Sequence, residues 1–69
     1  MEKDWIKVYT APEEYHAKLI LSLLENHELH PVMMDKKDDG FRIGHAEVYV
    51  PPGEAEKAFH IIKSNTVEE

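Results

Sequence analysis

The sequence predicts an α+β fold with the element order strand, helix, strand, strand, helix. Three observations carry that prediction. The alternating run Trp5-Ile6-Lys7-Val8-Tyr9-Thr10 is followed by apolar residues at helical spacing, Ala17, Ile20, Leu21 and Leu24. Two further strand-like runs, at 31–35 and 46–50, flank the hairpin-turn signal Asp39-Gly40. A second helical stripe follows, with Ala55, Ala58, Phe59 and Ile62 at i, i+3, i+4 and i+7. The whole chain, 1–69, reads as one domain, with an ordered core at about 4–63 and a frayed polar tail at 64–69.

Each element has local reasons. In the first strand Ile6 and Val8 point one way while Trp5, Lys7 and Tyr9 point the other. Thr10-Ala11-Pro12-Glu13 predicts a helix start, with Thr10 as the cap, Pro12 in the first turn and Glu13 three residues after the cap. That helix is expected to run to about Asn26. Leu19 and Leu23 widen its apolar stripe, Tyr15 closes the upper edge, and Glu14, Lys18 and Glu25 lie on the wet side. Pro31 opens the second strand, where a missing N–H does least harm. In the third strand Ala46, Val48 and Val50 share a face. Phe41 and Ile43 are apolar at the opposite parity, so either they belong to a strand that Gly44 resets with a bulge or they lie in a loop. Pro51-Pro52-Gly53 ends the third strand.

A right-handed crossover between parallel first and second strands, followed by a hairpin, places the third strand in the middle. The expected sheet is three-stranded, antiparallel or mixed, in the order 1-3-2, with both helices on one face. A complete split βαβ unit would set a fourth strand against the outer edge of the first. None is read in the sequence, so that edge and one sheet face are expected to be open.

Size and charge narrow the function. At 69 residues a single core supplies only about 3–5 kcal/mol, and small domains often add disulfides, metals or a partner subunit. Cysteine is absent, which excludes disulfides and thiolate zinc sites. A homodimer is therefore expected. Fourteen acidic residues against eight basic ones give a net charge of −6, with Arg42 the one arginine. Such a chain is poorly suited to phosphate backbones or anionic membranes, so no nucleic-acid or membrane partner is expected. The apolar run Leu19-Ile20-Leu21-Ser22-Leu23-Leu24 is far shorter than the roughly 20 residues of a membrane span. The acidic start leading into a strand does not resemble a signal peptide, and a cytoplasmic location is expected.

Three stretches carry a family resemblance: Val8-Tyr9-Thr10; Ala17 through Leu23-Leu24-Glu25-Asn26 to Leu29; and Val48-Tyr49-Val50-Pro51 with Glu54-Ala55-Glu56-Lys57-Ala58. In these the chain resembles a family of short prokaryotic signal-transducing domains of unknown function. The resemblance implies a ferredoxin-like, PII-like fold (here truncated to βαββα) and a regulatory role. None of the three stretches is a catalytic motif. The family commonly places a glycine at the end of the first helix where this chain has Glu28. A left-handed turn there is free for glycine and mildly strained for glutamate, unless Asn26 or His27 makes the turn instead.

The residues offer no strong chemical site. His16, His27, His30, His45 and His60 lack converging spacing, and Asp35, Asp38 and Asp39 do not fit a calcium loop, so no metal or cofactor is expected. No nucleophile elbow, triad order or phosphate-cradling glycine loop occurs, and an enzyme is not expected. The aromatic side chains are more suggestive. Trp5, Tyr9 and Tyr49 on the open face, with Lys7 beside them and Phe41 and Ile43 on the hairpin arm, are the candidate contacts for an unidentified protein partner. Base stacking on such a face would need more cations than Lys7 alone. The expected function is a non-enzymatic regulatory or interaction module that docks through its sheet face or first-strand edge. The alternative is a small-ligand sensor with a metabolite at a dimer interface. Val8, Leu24, Val48 and Phe59 are the expected core.

Overall fold

The structure, a computed structural model, describes residues 4–37 and 44–65. Its elements are β1 (Ile6–Ala11), α1 (Glu14–Asn26), β2 (Val32–Lys37), β3 (Gly44–Val50) and α2 (Ala55–Asn65), with a 3₁₀ turn, Pro52–Glu54, leading into α2. The sheet order is β1-β3-β2, and both pairings are antiparallel. This is the α+β ferredoxin-like arrangement expected, with three strands among the described residues. Helix α1 packs on all three strands, and α2 packs on β1 and α1. The shortest extent, 17 Å, is that of one sheet and one helical layer. The core lies between them, built from Val8, Ala11, Ala46, Val48 and Val50 below and Ala17, Ile20, Leu24, Ala58, Ile61 and Ile62 above.

Strand β1 departs from simple alternation. Lys7 pairs with Tyr49 and Tyr9 with Val48, so one residue of β1 is extra at Val8. Such a bulge lets two successive side chains share one side. Val8 is buried, Tyr9 packs against the core, and Thr10 stands across from Glu47. The alternation that would set Tyr9 beside Lys7 is therefore broken. Gly44 pairs with Lys37 at the end of the β2–β3 register, and the choice between a bulge and a loop for Phe41 and Ile43 lies outside the described residues. So does the Asp39-Gly40 turn.

The start of α1 also differs from expectation. Thr10 and Ala11 remain in β1, where Ala11 pairs with Ala46, and the N-cap is Glu13, without a side-chain capping bond. The cause is Pro12, which forces the residue before it into the extended region. Along α1, Leu21 and Leu23 are half-buried against the core, but Leu19 and Tyr15 are exposed, so the buried stripe is narrower than expected. In α2 the stripe is Ala58, Ile61 and Ile62, while Phe59 is 49% exposed and is not a core residue. Helix α2 continues through Ser64 to Asn65, whose side-chain amide donates to the Ile61 carbonyl at 2.8 Å.

The end of α1 shows why Glu28 matters. His27 is the C-cap and Glu28 follows with φ 69°, in the left-handed region. The Glu28 amide donates to the Glu25 carbonyl at 2.9 Å, and the Leu29 amide donates to Leu24 at 3.1 Å. This pair of bonds is a Schellman motif, and the buried Leu29 supplies its usual apolar contact. A side chain with a Cβ is strained there and glycine is not. Glu28→Gly should raise stability by about 0.5–1 kcal/mol in urea titration. A neutral or negative result would show that the Glu28 side chain offsets its own backbone strain.

Candidate functional site

The candidate site is the sheet face turned away from the helices. In an antiparallel pair, residues directly opposite one another share a face. Ala46, Val48 and Val50 face the core, so His45, Glu47 and Tyr49 line the other side of the central strand. Lys7 lies across from Tyr49 and Thr10 across from Glu47 on β1, while Val32 and Met34 lie across from Tyr49 and Glu47 on β2. Met33, opposite Val48, packs into the core instead.

The centre of this face is a carboxylate. Glu47 is only 7% exposed, although no helix covers it. Among the described residues, three side chains engage its carboxylate. The Tyr49 hydroxyl donates to Glu47 Oε1 at 2.8 Å, His45 Nε2 lies 3.2 Å from Oε2, and Lys7 Nζ lies 3.5 Å from Oε2. A buried carboxylate is costly unless it is paired and hydrogen-bonded, and this one is both. No buried side-chain nitrogen or oxygen among the described residues lacks a hydrogen-bond partner. The Tyr49 phenol is held above its ordinary pKa by the hydrogen bond to Glu47 first, then by burial and by the negative charge of Glu47. Chemically, the cluster fixes the positions of Lys7, His45 and Tyr49 on the sheet face opposite the described helices.

Of the sequence-predicted contacts, the structure brings together Lys7 and Tyr49, joined through Glu47. Trp5 precedes β1 and is half-buried. Tyr9 is turned to the core by the bulge, which corrects its placement on this face. Phe41 and Ile43 are outside the described residues. Glu47 and His45 were not singled out as contacts, yet a signal was present: once Ala46, Val48 and Val50 take the core face, the intervening residues must share the other.

A second polar contact ties the helix layer to the sheet. Glu54, in the turn before α2, accepts from the His30 backbone amide at 2.8 Å and lies 2.7 Å from His30 Nδ1. Burial pushes the Glu54 carboxyl up, but the two His30 bonds, the His30 ring and Lys57 outweigh it, and its pKa is held below the ordinary 4.5. A depressed folded pKa means that the unfolded chain binds the proton more readily, so the stabilisation is fully present above the unfolded value. It is lost as pH falls from about 4.5 through the folded pKa. Glu54→Gln should therefore flatten the acid limb of stability against pH below about 4.5, with a smaller difference at pH 3 than at pH 7. Parallel curves for the two proteins would exclude this linkage.

Among the described residues no three His, Cys, Asp or Glu side chains converge as a metal-holding group, and no helix is long and apolar enough to cross a membrane. Comparison of the chain with protein-family models, curated proteins and solved structures found no match.

Proposed function

We propose that the chain is a non-enzymatic regulatory or protein-interaction module in signal transduction that docks through its sheet, by the uncovered face or the β1 edge. The observation that carries this reading is the one-sided sheet: both helices lie on one face, and Lys7, Tyr49, Val32 and Met34 lie on the other around a buried Glu47. Strand β1 lies at an edge of that sheet. The Glu47 oxygens are engaged by Lys7, His45 and Tyr49, an arrangement suited to holding a surface in shape rather than to accepting a substrate proton. The resemblance carried by Val8-Tyr9-Thr10, the first helix and Val48-Tyr49-Val50-Pro51 supports a regulatory role. The proposed location is the cytoplasm, which a cysteine-free chain permits.

The test is quantitative capture from native lysate by the immobilised chain and by a Lys7→Glu/Tyr49→Ser variant, with melting curves to verify folding. Proteins retained by the first and lost with the second support docking through the face. Equal retention by the two, with both folded, would overturn docking through the face. The alternative is a small-ligand sensor, whose polar contact would be the Glu47 cluster. A metabolite that raises the melting temperature of the wild type but not of the Lys7→Glu/Tyr49→Ser variant would favour that reading.

A further inference from the structure

Two large apolar side chains remain exposed beside β1, and their positions identify what the edge takes. Helix α2 packs on β1 and α1. Ile61 and Phe59 are about 200° apart around the helix axis, on opposite flanks of the buried stripe. Ile61 is 5% exposed and Phe59 49%, so Ile61 lies on the flank that α1 covers and Phe59 on the uncovered one. That uncovered flank overhangs the outer edge of β1. Ile6 pairs with the fully buried Val50, which puts it on the helix side of the sheet, yet it is 37% exposed at the same edge. Helix α2 begins just after Val50, so its first turns lie toward the Ile6 end of β1. Edge and flank together form an apolar step that nothing in the described residues fills.

We propose that the occupant is a second copy of this chain, with β1 paired to β1 of the partner across a two-fold axis and the two α2 helices side by side about Phe59. The proposal rests on the docking reading above and names its partner. Charge selects this occupant. The chain is strongly acidic, with a net charge of −6, so two copies repel except where acidic residues are absent or paired. Residues 5–12 contain no Asp or Glu. On α2, Glu56 and Lys63 stand three residues before and four after Phe59, on the same exposed flank. Antiparallel helices meeting at Phe59 bring Glu56 of each copy to Lys63 of the other, a reciprocal match that only a two-fold contact supplies twice. The bulge in the β1–β3 pairing at Val8 makes β1 irregular, and a bulged edge alone is a poor template for strand addition. A stable interface takes about 800 Å² from each partner, so the α2 flank must contribute its anchor together with the edge.

Sedimentation equilibrium of the full chain from about 1 to 500 µM tests this. The wild type should approach twice its 8.0 kDa mass within that range. Phe59→Glu should weaken association by at least about thirty-fold without lowering the melting temperature of the dilute monomer, as for an interface anchor. Glu56→Lys alone should weaken it by roughly two- to five-fold, and Glu56→Lys/Lys63→Glu should restore it. A wild type that stays monomeric at 500 µM overturns the second copy as partner while leaving the lysate capture free to succeed. A dimer indifferent to both Phe59→Glu and the charge swap overturns the edge placement.

Discussion

Leu24→Ala should lower the unfolding free energy by about 2–5 kcal/mol and leave most of the protein unfolded at 25 °C. Leu24 is fully buried and lies among the residues of both layers, so truncation opens a cavity that few neighbours can collapse into. Alanine keeps the backbone carbonyl that receives the Leu29 amide, so the loss is one of side-chain packing in the core that Leu24 and Leu29 share. A core this small has little stability to spare. Phe59→Ala is the matched control. Phe59 is larger, but it is half-exposed on the outer flank of α2, and its loss should cost no more than about 1 kcal/mol in the dilute monomer. Urea titration monitored by circular dichroism measures both. If Phe59→Ala proved as damaging as Leu24→Ala, the α2 stripe would have to be rotated toward Phe59.

Tyr9→Ser should cost about 2 kcal/mol, whereas Tyr49→Ser should cost no more than about 1 kcal/mol. The two tyrosines lie on neighbouring strands, and simple alternation gives them the same role. The bulge at Val8 separates them: Tyr9 packs against the core, and Tyr49 stays on the uncovered face with its hydroxyl on Glu47. Serine at position 9 removes buried aromatic area, while serine at 49 removes one hydrogen bond from a carboxylate that retains Lys7 and His45. Thermal melts at a few micromolar separate these outcomes. Equal costs would mean that Tyr9 is not held to the core by the bulge, and the two residues would then both belong to the docking face.

These contrasts show where the sequence was legible. The order of elements, the 1-3-2 sheet and the core face of β3 follow from hydrophobic periodicity, because alternation at two and recurrence at 3.6 are local properties. The end of α1 was legible only as a choice: without the glycine, Asn26, His27 and Glu28 were all candidates for the turn, and the folded backbone assigns it to Glu28. The candidate face was legible only in part. Lys7 and Tyr49 were placed together from strand parity, but Glu47 between them was not recognised as the buried centre of the face. A glutamate within a strand ordinarily marks the wet side. Here it is 7% exposed, with Lys7, His45 and Tyr49 engaging its oxygens across the fold, which strand parity alone does not reveal.

By itself the sequence determined the fold class, the topology and the acidic, cysteine-free character of this protein. Tertiary structure alone decided which apolar residues became core and which surface. Phe59 and Ile61 both fit an amphipathic stripe, and only the docking of α2 against α1 and β1 chose Ile61. Ile6 and Val8 share the parity of the core, yet the edge position of β1 leaves Ile6 partly bare. Tyr9 changed sides because one extra residue in β1 had to be absorbed against β3, a register decision made between strands rather than along either one. The physical reason is the same in each case. Periodicity sets which residues can share a face, but burial depends on what the rest of the chain brings over that face.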